Sequence, residues 1–421
     1  MLDIKFIREN KEVVQAGAKK KHIEFDVNKL LTVDDARREL TQSIERKRAR
    51  QNEVSGLVAK GGGAAHQSEL ISEMKTLKKA LHEEEEQLKE VMKSWQSMML
   101  QVPNIPDMSV PDGESDNQNV EVRVWGNKPR FSFEPKTHIE LMEKLDLADF
   151  EKGGEVAGFR GYFLKNDAVM LNFALWQYTL QMFTKKGFKP MIVPSLVRKE
   201  TLYGTGYLPQ GKDDLYVTQD EEYLAGTGEV GAMAYHMGKT LKREDLPIKI
   251  IAFSPCYRRE AGSHGKDVKG LYRVHEFFKF EQIVLCEASH ETSVKIHEEL
   301  TLNAEEMLQG LELPYHTVVN CGGDLGLGQV KKYDIEVWRA GQKAYGETHS
   351  SSYFHDFQSR RLNIRYRDQE EKLRFVHSLN NTALACPRIL IPILENNQQE
   401  DGSILIPKAL QPFMGKERIT L

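Results

Sequence analysis

At roughly 100–200 residues per domain, 421 residues leave room for two or three domains. With 40% hydrophobic and 29% charged residues the chain is neither disordered nor fibrous. Lys and Arg number 58 against 62 Asp and Glu, a formal charge of −4, which excludes a uniformly basic nucleic-acid binder but allows a local basic patch.

The opening Met1–Asn10 sets charges among its apolar residues and cannot serve as a signal-peptide core. No apolar run approaches a membrane span, and the mean hydropathy is −0.51. Residues 28–60 and 66–100 are predicted to form an antiparallel helical hairpin. Leu70, Met74, Leu77, Leu81, Leu88, Val91 and Trp95 recur at steps of four and three, a coiled-coil seam broken once by Glu84. Val33, Leu40, Ile44, Val54 and Val58 fit a similar heptad, interrupted by Arg37, Lys47 and Gln51. Gly61-Gly62-Gly63 makes a natural tip. Such an arm would project about 50 Å. Periodicity alone leaves two uses open: a dimerisation coil, or a basic ridge along a phosphate backbone.

Residues 101–130, with Pro103, Pro106 and Pro111 among Asp, Asn, Ser and Gly, read as a linker. An amphipathic helix is expected over 168–185, stopped by Gly187. Strand-like segments follow: one from 247, then Tyr272 to Cys286, Ser350 to Arg367 and Ile404 onward, with a hairpin signal at Asp401-Gly402. The expected fold class is α+β: an antiparallel sheet flanked by helices behind an N-terminal coiled-coil arm. The four cysteines, 256, 286, 321 and 386, form no C-x-x-C pair. Neither a disulfide framework nor zinc is therefore expected, and a reducing cytoplasm is.

Two glycine motifs mislead. Gly226-Thr-Gly228-Glu-Val-Gly231 satisfies G-x-G-x-x-G, but no long apolar strand precedes it. Gly206-x4-Gly211-Lys212-Asp213 ends in a carboxylate where a phosphate loop needs a hydroxyl.

Chemistry gathers at 257–281, read as two strands around a loop. Arg258 and Glu260 would share one parity, and Arg273, His275, Phe277, Lys279 and Glu281 another. Between them runs Ala261–Gly270, a glycine-rich, cationic and mobile cover. Residue by residue, a solvated face with cross-strand ion pairs explains this pattern as well. As a set it suits ATP: guanidinium forks for phosphate, an aromatic plane for adenine and a carboxylate for the exocyclic amine.

Tyr257-Arg258-Arg259-Glu260 with Arg273-Val-His-Glu-Phe277 resembles motif 2 of class II aminoacyl-tRNA synthetases. Gly187-Phe-x-x-Met191-x-x-Pro194 resembles the dimer-interface motif 1, and Leu384-Ala-Cys-Pro-Arg388 with the apolar run after it resembles motif 3. Tyr203–Gly206, Gly226–Glu229, Asp356–Arg361 and Leu394–Gln398, together with the opening decapeptide and the hairpin, are similar to seryl-tRNA synthetases of the bacterial and eukaryotic type across essentially the whole chain.

The resemblance implies a tRNA-binding arm over 1–108 and a catalytic domain over 109–421. It implies catalytic roles for Arg258, Glu347 and Arg388. ATP would be held by Arg258, Arg259, Glu260, Arg273, Val274, Phe277, Glu347, Thr348, His349, Ser350 and Arg388, with Mg2+ on Glu347 and Ser350. Serine would be held by Thr227, Gly228, Glu229, Arg258, Glu281, Asn380 and Thr382. The implied partners are L-serine, tRNA(Ser), with tRNA(Sec) open as a second acceptor, and a second copy of the chain; no membrane is implied. The departures are Gly228, adding backbone freedom where the family carries Ala; Ser352–His355, replacing a Cys-containing stretch; Pro387, as a first-turn proline; and Pro392, expected to kink the following helix. The alternatives are a ligase serving a carrier protein and a coiled-coil scaffold without activity.

Overall fold

The computed structural model describes residues 1–61, 63–262, 265 and 267–421. Gly62 of the expected tip, and Ser263, His264 and Lys266 of the expected cationic cover, lie outside the described residues. The chain divides into two compact units, one of Leu2–Lys19 with Ile23–Pro103, the other of Met1, Lys20–His22 and Asn104–Leu421.

In the first unit, α1 (Val27–Lys60) and α2 (Ala64–Gln101) pack along each other. Asp26 caps α1 by accepting the Lys29 N–H, and Gly61, at φ 77°, ends it. Leu30, Ile44 and Val54 from α1 are buried with Leu70 and Leu81 from α2. Three of the expected interruptions, Arg37, Lys47 and Glu84, find partners. Lys47 Nζ reaches Glu84 at 2.7 Å, where Ser43 also donates, and the Arg37 guanidinium lies 4.9 Å from the Trp95 ring centre.

The second unit is built on an eight-stranded sheet. Its strands are β1 (Val120–Trp125), β2 (Lys189–Ile192), β3 (Ile248–Tyr257), β4 (Glu276–Cys286), β5 (Tyr315–Val319), β6 (Lys331–Arg339), β7 (Ala344–Tyr353) and β8 (His377–Cys386), in the order β1-β5-β6-β7-β8-β4-β3-β2. All neighbours are antiparallel except β2 and β3. Two long helices, α3 (Asn166–Lys185) and α6 (His290–Gly310), supply Leu171, Leu175, Leu300 and Met307 to the core on one face. Strand alternation then sorts β4. Phe280 and Val284 join that core, and Gln282 Nε2 donates to the Leu300 carbonyl of α6. Phe277, Lys279 and Glu281 point the other way.

Three expectations are corrected. The stretch 257–281 is not two strands carrying all its charged residues: β3 stops at Tyr257 and β4 starts at Glu276. Parity therefore governs only the β4 residues, and Arg258, Glu260 and Arg273 belong to the connection. Ser350–Arg367 is not one strand: β7 ends at Tyr353 and the short helix α7 (Phe357–Leu362) follows. Finally, Pro387 and Arg388 precede the helix α8 (Leu390–Asn396), and Pro387 offers its carbonyl to Leu390 N–H at 2.9 Å. Pro392 takes the first-turn position, where an N–H has no acceptor within the helix, so it need not kink it.

Candidate active site

The pocket opens on the sheet face opposite the two long helices. Its floor carries Phe277, Lys279 and Glu281 from β4, and Asn380 and Thr382 from β8, two residues apart and so on one face. From β7 come Glu347, Thr348 and Ser350. Simple alternation would separate Glu347 from Ser350. The register with β6 slips between Ile335 and Glu336, and this bulge turns both residues inward.

Arg258 hangs from the end of β3, where its N–H still bonds the His275 carbonyl at 3.0 Å. Its Nε donates to the Gly226 carbonyl, and its guanidinium lies 5.3 Å from the Phe277 ring centre. Across the pocket, Arg388 Nε donates to the Tyr272 carbonyl at 3.0 Å and Nη1 to the Glu347 carbonyl at 3.1 Å. Tyr272 lies flat beneath it, with 4.5 Å from the guanidinium to the ring centre. Both cations are pre-aimed by main-chain acceptors and aromatic planes, which leaves outward N–H groups for an anion.

The other end of the pocket is acidic and dry. Glu229 is 3% exposed on the short helix α5 (Gly228–Ala234). Tyr207 donates to one of its oxygens at 2.8 Å and Gln358 to the other at 2.6 Å. Burial lifts its pKa while those two donors oppose the rise. Burial also lifts Glu281, against the attraction of Lys279, with which it forms an ion pair.

The pocket brings together Glu229, Arg258, Glu260, Val274, Phe277, Glu281, Glu347, Thr348, Ser350, Asn380, Thr382 and Arg388. Five expected contacts are not in its lining. His349 alternates to the far face, where Nε2 meets the Ala383 carbonyl at 3.1 Å. Arg259 turns away to donate to the Asp213 carbonyl. Arg273 backs the pocket by donating to Glu260 at 2.6 Å. Thr227 caps α5, its hydroxyl accepting the Glu229 N–H. Gly228 acts through space rather than freedom, for a Cβ there would stand 3.2 Å from Ser254 Oγ.

Lining residues missed from sequence include Tyr207, Tyr272 and the loop Gly326–Gln329. Tyr207 sits one residue beyond Tyr203–Gly206, so that segment was its signal; the loop had none. The dinucleotide reading of Gly226–Gly231 fails, because the strand before it, Tyr223–Leu224, is two residues long and antiparallel to its neighbours.

Family comparison agrees with this geometry. The family description "tRNA synthetase class II core domain (G, H, P, S and T)" matches residues 215–397, and "Seryl-tRNA synthetase N-terminal domain" matches residues 1–106. The serine–tRNA ligase of Deinococcus radiodurans is 43% identical, covering 100% of this chain and 99% of its own. The chain belongs to the seryl-tRNA synthetase family. Members of this family are ATP-dependent aminoacyl-tRNA ligases that activate serine for tRNA(Ser), and the expected class II α+β fold behind a helical arm is the one found. Among solved structures, the Pyrococcus horikoshii seryl-tRNA synthetase complexed with ATP superposes with a TM-score of 0.92 at 38% identity, covering 100% of this chain and 99% of that one. The cytoplasmic serine–tRNA ligase of Naegleria fowleri in complex with AMP gives 0.87 at 32% identity, covering 100% and 99%.

Proposed function

We propose that this pocket holds ATP and L-serine side by side, the triphosphate between Arg258 and Arg388 and the amino acid at Glu229, Glu281, Asn380 and Thr382. The observation that carries this reading is one continuous pocket lined by two guanidinium groups, Arg258 and Arg388, and by the buried carboxylates Glu229 and Glu281. A polyanion and an ammonium group are the complementary charges. Phe277 offers a plane to adenine, and Val274 and Glu260 lie within reach of the base.

A serine carboxylate oxygen attacks the α-phosphorus, the bond to the bridging oxygen of the β-phosphate breaks, and pyrophosphate leaves. Arg258 and Arg388 neutralise charge that spreads over the phosphoryl oxygens. A hydroxyl of the 3′-terminal adenosine of tRNA(Ser) then takes the seryl group and releases AMP. Little acid–base work is required, since the protein aligns reactants already charged. Glu347 and Ser350 are hard oxygen donors beside Arg388 and fit Mg2+, an ion that takes one or two protein oxygens and fills its remaining positions with phosphate and water. When bound, Mg2+ supplies further neutralisation of the phosphate oxygens.

We assign tRNA binding to residues 1–108 and catalysis to 109–421. A homodimer is supported by Ile192 of β2, 82% exposed, and by Phe173 of α3, 58% exposed, two large apolar side chains without cover. A cytoplasmic location is supported by four buried, unpaired thiols, and among the described residues no helix is long and apolar enough to cross a membrane. ATP–pyrophosphate exchange with serine, threonine, alanine and cysteine side by side tests the reading: exchange confined to serine is expected, and none with serine refutes it. Charging assays with tRNA(Ser) and tRNA(Sec) decide whether the second tRNA is also accepted.

A further inference from the structure

Gln358 stands on α7 within the segment Asp356–Arg361 and takes no part in the chemistry above. It is 1% exposed. Its Nε2 donates to Glu229 Oε1 at 2.6 Å and to the Thr205 carbonyl at 3.1 Å, while its Oε1 accepts from Ser378 Oγ at 2.7 Å. Chemistry fixes the orientation of this amide. The two groups at one end, a carbonyl and a carboxylate, are both acceptors, so only the NH2 can face them. A flipped amide would set oxygen against two oxygens in a buried site.

We propose that Gln358 is a positioning residue for the amino-acid substrate: with Tyr207, it holds Glu229 in the one charged, pocket-facing arrangement that receives the serine ammonium group. Burial alone works against a carboxylate at this place, and a donor on each oxygen compensates. Because Ser378 fixes the amide and the Thr205 carbonyl shares it, Glu229 is set before substrate arrives, so binding spends little on ordering it. The other groups facing Glu229 are Lys279, Glu281, the Tyr207 hydroxyl and the Asn380 amide. Gln358 serves Oε1 at 2.6 Å and Tyr207 serves Oε2 at 2.8 Å. The triphosphate end is served by Arg388 and Glu347, which Gln358 does not touch.

The inference rests on the reading of Glu229 as a serine contact, and the experiment separates the two. In ATP–pyrophosphate exchange with the full-length enzyme, Gln358→Met keeps the length of the side chain and removes the donor. It is expected to raise KM for serine on the order of tenfold while KM for ATP stays within about twofold. Gln358→Glu, which sets a second carboxylate against Glu229, is expected to raise the serine KM further at neutral pH and to recover in part toward pH 6, as the pair shares one proton. Ser378→Ala only loosens the amide and is expected to give a smaller rise, again confined to serine. A folded Gln358→Met enzyme whose serine KM is unchanged, or whose two KM values rise together, overturns the inference. Should Gln358→Met not fold, Ser378→Ala decides by the same criterion. A Glu229→Gln enzyme with unchanged serine KM overturns instead the reading of Glu229 itself.

Discussion

Lys47 meets Glu84 midway along the helical hairpin, and Lys279 meets Glu281 on the floor of the pocket. The chemistry of the two pairs is the same. In the hairpin the side chains keep 29% and 23% of their exposure, and the hydrogen bond from Lys47 lowers the Glu84 pKa. In the pocket they keep 8% and 3%, and burial raises Glu281 despite its partner. Burial therefore decides the sign. The hairpin pair sits in a wet seam, where charges cost little and give little; the pocket pair is a costly arrangement that makes sense beside a charged substrate.

The contrast is easiest to break at the phosphate end. Arg388→Ala is expected to lower serine-dependent exchange by about 10³-fold: Arg339 also lies 4.5 Å from the Tyr272 ring centre, but it donates to the Tyr345 carbonyl and does not line the pocket. Unchanged exchange would revive an inactive scaffold. Removing residues 28–100 should do the reverse, leaving exchange intact while tRNA charging disappears. Surviving charging would show that the hairpin has another use.

Smaller effects sharpen the same contrast. Replacing both Lys47 and Glu84 with Leu should leave thermal stability unchanged or raise it by ~1 kcal/mol, whereas Glu84→Leu alone leaves Lys47 without its anion and should lower it. A clear loss in the double variant would mean that the seam relies on its ion pair. At the sheet edge, His316 lies between Glu121 and Glu336, at 2.7 and 2.8 Å. Burial pulls the His316 pKa down, but the two carboxylates outweigh it and the net shift is upward. The imidazolium thus ties β1 to β5 and β6. Its stabilisation is complete below the unfolded-state value of about 6.5 and is lost as pH rises through the higher folded-state value. Melting curves of the parent and His316→Gln from pH 6 to pH 9 should therefore converge as pH rises; a widening gap would contradict the assignment.

Much of the site was legible because its residues come in short runs. The β4 residues Phe277, Lys279 and Glu281 follow from period-two alternation, and Glu229 and Arg388 from local motifs. Strand alternation failed for Arg258 and Arg273, which lie on the connection between β3 and β4. It also failed to set His349 apart from its neighbours, since a bulge pairs Glu347 with Thr348 on the inward face and sends His349 outward. No local rule announces that slip, because the register is set by β6 on another part of the chain.

The hairpin, the seam residues and the identity of the reactive groups were determined by the order of amino acids, since helix periodicity and glycine breaks act over a few residues, whereas the stretch 101–130, read as a linker, supplies β1 to the sheet. Folding in three dimensions decided which of those groups face one another. Arg258 and Arg388, separated by 130 positions, share a pocket only through the pairing of β3, β4 and β8. Gln358 reaches Glu229 only because α7 returns to lie beside Thr205. Contacts between distant segments depend on strand register and helix packing, which no short window of sequence contains.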